Sequence, residues 1–250
     1  MKAFNNKVVL ITGGSTGIGL ATALAFAERG AKLMIAGRNV VRGRAAIHLI
    51  QQRTSSATFI PTDVTQEEDV KHLITQTISL YGQLDIAINN AGVDQDPGDS
   101  STQTQEDYHR IMDTNVKGTW LCLKHQLPAL LQTKGCIVNA TSIAGMVGFP
   151  GAAIYAASKH AIIGLTKSLA LEYAAVGVRV NAVAPGTTYT PMYERIADTP
   201  EVADIIRDMF PMKRIAQPEE IANAIVFLCS KDAGFITGHT LVADGGYTAG

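Results

Sequence analysis

Lys7-Val8-Val9-Leu10-Ile11-Thr12-Gly13-Gly14-Ser15-Thr16-Gly17-Ile18-Gly19 passes from an apolar, β-branched run into a glycine-rich turn; Leu20–Arg29 follows with helical character and ends at Gly30. A strand that is apolar on both faces must be covered on both. Val8-Val9-Leu10-Ile11 therefore predicts a mainly parallel sheet with helices on each side, a doubly wound, Rossmann-type α/β fold. Glycines at 13, 17 and 19 let the backbone turn tightly and approach a diphosphate, whose charge suits the N–H groups at a helix start. The spacing departs from Gly-x-Gly-x-x-Gly, and no Gly-Lys-Ser/Thr closes the turn as a P-loop would. Alone, the turn reads either as a nucleotide cradle or as packing that seats helix on strand. Its place directly after the first strand favours the cradle.

Outward from this unit, Lys32–Ala36, Thr58–Pro61, Leu84–Asn89, Cys136–Ala140, Arg179–Val183 and Thr240–Val242 read as further strands, making seven with Lys7–Thr12 and alternating with helical periods. We expect one domain over residues 1–250, interrupted only by a longer connection at about 187–218. That connection sets Met192, Tyr193, Ile196, Ile205, Ile206, Met209, Phe210 and Met212 among charges. It reads as an amphipathic lid over an apolar cavity, as ordinary helix packing or as a subunit contact.

Hydrophobic residues make up 46% of the chain and charged residues 17%, with a formal net charge of −1, which gives no electrostatic footprint for nucleic acid. No apolar run approaches the roughly 20 residues of a membrane span, and Met1-Lys2-Ala3 leads into a strand rather than a secretory signal; a cytoplasmic protein is expected. Cys122, Cys136 and Cys229 sit in apolar surroundings and read as buried thiols. No histidine has metal-ligand spacing, and no metal is expected.

Tyr155 and Lys159 lie four apart in a helical stretch, hence on one face, with Ser142 upstream on a loop. An ammonium about 5 Å from a phenol favours phenolate by about 3 kcal/mol, roughly two pKa units. The trio suggests proton exchange with a carbonyl or alcohol oxygen, Ser142 holding that oxygen against the phenol.

These pieces occur together and in order: the glycine turn, Asn89-Asn90-Ala91-Gly92, Asn115, Ser142, Tyr155 with Lys159, Pro185-Gly186 with Thr190, and Ala243-Asp244-Gly245-Gly246. The chain resembles the short-chain dehydrogenase/reductase family, in its compact one-domain form, over nearly its whole length. The resemblance implies an NAD(P)-dependent oxidoreductase interconverting a ketone or aldehyde and an alcohol, with Tyr155 as acid/base and Ser142 orienting the substrate oxygen. Lys159 would lower the tyrosine pKa and bind the nicotinamide ribose, and Asn115 would hold a proton-relay water. Gly13, Ser15, Thr16, Gly17, Ile18 and Gly19 would line the diphosphate, Asp63 and Val64 the adenine, and Asn90, Ala91 and Gly92 the ribose. Pro185, Gly186 and Thr188 would meet the carboxamide, with Thr190 near it or the phosphates. Thr188 stands where an aliphatic residue is usual. Read from the residues alone, Asp63 equally suits a helix N-cap, Asn90-Ala91-Gly92 a plain turn and Asn115 a structural polar residue in a helix. The resemblance also implies a homotetramer built on helices around Asn115 and Tyr155 and on the last strand. A nucleotide-binding regulatory or scaffold protein is the alternative.

At the end of the second strand, Ile35-Ala36-Gly37-Arg38-Asn39 lacks the carboxylate that would hold an adenosine 2′-hydroxyl, while Arg38 offers a planar cation to a 2′-phosphate. NADP is the expected cofactor, with NAD possible if Arg38 is only a solvated helix-start residue.

Overall fold

Seven strands form one all-parallel sheet in the order β3-β2-β1-β4-β5-β6-β7, seen in a computed structural model that describes residues 3–54 and 56–250. They are β1 (Val8–Thr12), β2 (Lys32–Gly37), β3 (Ala57–Pro61), β4 (Ile86–Asn89), β5 (Cys136–Ala140), β6 (Arg179–Pro185) and β7 (Thr240–Ala243). Met1 and Lys2, on which part of the localisation expectation falls, lie outside the described residues. Each strand stands within two residues of its predicted bounds. Pairing geometry rather than hydropathy sets the ends: Leu84 is fully buried yet precedes β4, because Asp85 turns its N–H to the Val8 carbonyl and receives Lys7 and the Val8 N–H on its carboxylate.

The helices are α1 (Gly17–Glu28), α2 (Val40–Gln51), α3 (Glu67–Tyr81), α4 (Gln105–Met112), α5 (Gly118–Thr133), α6 (Ala153–Tyr173), α7 (Pro191–Ile196), α8 (Pro200–Asp208) and α9 (Pro218–Cys229). Alternation along the strands fills both layers. Val9 and Ile11 pack with Leu33 and Ile35 against Phe26 of α1, Ile50 of α2 and Ile225 of α9. Val8 and Leu10 pack on the opposite face against Leu73 of α3, Leu127 and Leu130 of α5 and Ala170 of α6. Burying each such Leu, Ile or Phe contributes roughly 1.5–3 kcal/mol.

The chain winds one way from β1 to β3 and the other way from β4 to β7. A crevice consequently opens between the C-terminal ends of β1 and β4, the topological switch point where ligands settle in such sheets. Beneath it runs a buried amide relay. Asn89 of β4 exchanges hydrogen bonds with Gln126 of α5 (3.1 and 2.8 Å), donates to Asn139 of β5 (3.0 Å), and Asn139 donates to Thr166 of α6 (3.0 Å). Every polar group in that chain has a partner, so two strands and two helices are held in register without an unsatisfied charge or amide.

Candidate active site

The turn after β1 is shaped for an anion. A Cβ on Gly19 would sit 2.3 Å from the Gly13 carbonyl oxygen, so only glycine lets α1 start this close to the strand end. Helix α1 begins at Gly17, earlier than the predicted Leu20, and Thr16 precedes it with extended backbone and no side-chain cap. The first N–H groups of α1 therefore face the crevice. Asn90 steadies the turn by donating from Nδ2 to the carbonyls of Thr12 (3.3 Å) and Gly13 (3.2 Å), while its N–H and that of Ala91 donate to Thr12 Oγ1.

A cleft of about 740 Å³ opens there. Gly13, Ser15, Thr16, Gly17, Ile18, Arg38, Asp63, Val64, Asn90, Ala91, Gly92 and Thr190 all line it; the turn thus opens on a cavity and is more than a seat for helix on strand. Asp63 does not cap α3. Its carboxylate accepts from Thr65 N and Oγ1, and the helix starts two residues later behind Gln66. Arg42, four residues past Arg38 in the first turn of α2, also lines the cleft, and no carboxylate stands at the end of β2. The cradle and the glycine approach fit the diphosphate of a nicotinamide dinucleotide.

Ser142, Tyr155 and Lys159 converge from two elements. Ser142 closes β5 and accepts from Ala144 N across a short 3₁₀ turn, Ile143–Gly145. Tyr155 and Lys159 share the first turns of α6, with Nζ 5.5 Å from the phenol ring centre and donating to the Ala140 carbonyl at 3.2 Å. The expected depression of the tyrosine is not what the chain's own charges produce. Burial pushes Tyr155 up to about 12; the Ser142 hydroxyl pulls against this and the Asp94 carboxylate adds to it. Burial also pulls Lys159 down to about 8. Desolvation of phenolate outweighs an ammonium that is itself desolvated.

Asn115 stands in a widened turn, Asp113–Lys117, of π type rather than in regular helix; there the Gly118 N–H reaches back to the Asp113 carbonyl. Its side chain is fully engaged. Oδ1 accepts from Val93 N (2.8 Å), and Nδ2 donates to Val93 O (2.9 Å) and Ser158 Oγ (3.0 Å). Gly92 makes this possible, since a Cβ there would stand 3.2 Å from Asn115 Oδ1 and 3.5 Å from Lys159 Nζ.

A second cavity, about 300 Å³, adjoins Ser142 and Tyr155 and takes Pro185, Gly186 and Thr188 into its wall. It shares Ile18, Asp94, Thr190 and Met192 with the larger cleft, so cradle and phenol open on one space. Thr188 is buried and turns its hydroxyl to the Gly186 carbonyl, filling the aliphatic place by internal satisfaction. Thr190 caps α7 and presses its methyl within 3.0 Å of where a Gly17 Cβ would stand. The 187–218 connection holds α7 and α8, both begun by Thr-Pro; Met192, Tyr193, Ile196, Ile206 and Met209 from it face this cavity. Ile205 and Met212 of the same connection do not join them and are exposed.

Gln95 is a residue the sequence does not flag. Helix α6 has no side-chain cap of its own, and Gln95, sixty positions away and buried, accepts from the Tyr155 N–H at 2.9 Å and donates to the Gly151 carbonyl at 3.3 Å. Gln95→Leu is expected to cost about 1 kcal/mol, the usual weight of a lost cap, and to lower Tm by roughly 2–4 °C. Calorimetry of the variant checks this; an unchanged Tm would remove Gln95 from the supports of α6.

A family model described as "Enoyl-(Acyl carrier protein) reductase" matches residues 13–248. The chain is 40% identical over 252 residues to a 2,5-dichloro-2,5-cyclohexadiene-1,4-diol dehydrogenase of Sphingobium indicum, covering all of both chains. It is 37% identical to a cyclohexanol dehydrogenase of Acinetobacter sp., over 98% of this chain and 96% of the relative. The crystal structure of levodione reductase superposes with a TM-score of 0.95 at 31% identity, covering 98% of this chain and 99% of that one. Identity sustained from end to end, on a sheet that superposes this closely, means that the chain belongs to the short-chain dehydrogenase/reductase family and is an NAD(P)-dependent oxidoreductase of carbonyls and alcohols.

Proposed function

We propose that the protein interconverts a ketone and a secondary alcohol on a ring, with NADP preferred over NAD, within a single domain of residues 1–250. The reading is carried by the continuity of the two cavities: the anion cradle at Gly13–Gly19 and the Tyr155 phenol share one space. The names of two relatives, dehydrogenases of cyclohexanol and of a cyclohexadiene diol, support the ring. A bound nicotinamide supplies the hydride chemistry.

The chain supplies the rest. Ser142 holds the substrate oxygen, and Tyr155 delivers a proton to it in reduction and removes one in oxidation. Lys159 places positive charge behind the phenol and offers donors to ribose hydroxyls. Gly13 through Gly19 bind the diphosphate by backbone N–H groups, Asp63 and Val64 flank the adenine, and Asn90, Ala91 and Gly92 underlie the ribose. Pro185, Gly186 and Thr188 meet the carboxamide, and Thr190 closes the turn from the lid side. Asn115 has spent its side chain on Val93 and Ser158, which leaves its main-chain carbonyl, in the widened turn, to hold a relay water.

NADP rests on Arg38 and Arg42 together. Removing either arginine is expected to weaken NADPH use roughly ten- to hundredfold and to leave NADH use within about threefold, since each charge-assisted contact to a phosphate is worth roughly 1.5–3 kcal/mol. Steady-state kcat/KM with both coenzymes checks it. Equal or better turnover of the unaltered protein with NADH would sink the NADP preference.

A homotetramer is supported by the exposed Tyr108 and Trp120 on α4 and α5 and by half-buried β7 at the sheet edge, apolar surfaces suited to symmetric pairing. Among the described residues no helix is long and apolar enough to cross a membrane, which is compatible with the cytoplasmic location we favour.

A further inference from the structure

The cavity beside Tyr155 is walled by Phe149, Pro150, Met192, Tyr193, Ile206 and Phe210, and among the described residues its lining contains no lysine, arginine or histidine. Its one charged member is Asp94, at the rim shared with the nucleotide cleft. Packed to the density of a protein interior, 300 Å³ holds roughly 220 Å³ of atoms, on the order of a dozen carbons. Part of that belongs to the nicotinamide face at Pro185, Gly186 and Thr188. What remains suits a single small ring.

The nearby cations are already spent. Arg195 of α7 places Nη2 3.1 and 2.9 Å from the two Asp94 carboxylate oxygens. Arg110 donates to the Asp94 main-chain carbonyl at 3.0 Å. Arg207 pairs with Asp204 and Asp208, and Lys213 donates to the Asp208 carbonyl. Lys159 lies behind the phenol and donates to the Ala140 carbonyl. A carboxylate on the substrate would therefore leave water for an apolar wall, meet no free cation and face Asp94 at the mouth.

We propose that this site takes uncharged cyclic ketones or their secondary alcohols, and that Asp94, locked to Arg195 of the lid, is the specificity-determining residue that turns anionic analogues away. The inference rests on the redox reading above. Asp94 acts twice: its charge repels an entering anion, and its grip on Arg195 withholds that guanidinium from it.

The test compares 4-methylcyclohexanone with 4-oxocyclohexanecarboxylate, matched in shape and differing in charge, by kcat/KM for coenzyme oxidation. The unaltered protein is expected to favour the methyl compound about 100-fold or more, the scale of stranding one charge in an apolar site. Asp94→Asn is expected to shrink that ratio at least about tenfold, mainly by improving the acid, because Arg195 is released. Arg195→Gln is expected to widen it, since Asp94 is then left unpaired at the mouth; the two variants move in opposite directions, so loss of either through misfolding leaves the other decisive. Equal use of the two ketones by the unaltered protein, or an unmoved ratio in Asp94→Asn, overturns the inference and leaves the redox reading standing. Tight NADPH binding without reduction of either ketone or oxidation of either alcohol overturns both.

Discussion

Tyr155→Phe is expected to lower kcat/KM by roughly 10³–10⁴-fold, the upper range for removing a positioned acid/base, and to leave coenzyme affinity nearly unchanged. The two effects separate because the phenol stands in the apolar cavity whereas the coenzyme contacts proposed above are mostly backbone groups at the other end of the cleft. The ring itself remains, so packing at the start of α6 and the Gln95 cap are preserved. Coenzyme fluorescence titration alongside steady-state rates measures both. Turnover within tenfold of the unaltered protein would move the proton to another group. With the phenol held near 12, it stays protonated through neutral pH: reduction finds its acid ready, whereas oxidation must wait for phenolate and speeds up as pH rises.

Lys159→Met is expected to abolish most activity and at the same time stabilise the fold. The ammonium's folded value, about 8, lies below its ordinary 10.5, so between these values the unfolded chain keeps a proton that the native chain has given up. Stability consequently rises with pH across that window. Below about 8 the native state carries the full cost of burying the charge, about 3 kcal/mol for a shift of this size. Methionine removes that cost and loses one hydrogen bond to Ala140, for a net gain of about 2 kcal/mol, or roughly 4–8 °C in Tm at neutral pH. It should also flatten the rise in stability between pH 8 and 10.5. A lower Tm would show that the lysine supports the fold rather than burdening it. In the unaltered enzyme, reduction is expected to decline above pH 8 as this charge is lost.

The sheet was legible because its signals are local and redundant. Val8–Ile11 is buried on both faces in the structure as its apolar run demands, and Gly19 is required by a contact six residues away. The phenol's titration was not legible. Helical spacing places an ammonium beside Tyr155, but whether charge or desolvation wins depends on walls contributed by separate segments, 94–97, 141–152 and 185–210. Asn115 was hidden for a related reason, since a widened turn leaves no mark in hydrophobic period, and the partners that define it, Val93 and Ser158, lie on separate segments. Gln95 and the Asp94–Arg195 pair join positions 60 and 101 residues apart, beyond the reach of any pattern read along the chain. Arg42 is different: it lies four residues beyond Arg38 at a helix start, and that spacing offered the signal.

The relay of Asn89, Gln126, Asn139 and Thr166 beneath the crevice divides the molecule's capacity for change. Its members satisfy one another only as a set, so replacing one strands its neighbours, and drift there is penalised wherever it begins. The 187–218 strap carries exposed ion pairs within its own helices, such as Arg207 with Asp204 in α8, which can be lost singly at little cost. New chemistry would have to rebuild the floor, while a new diet needs only a different strap.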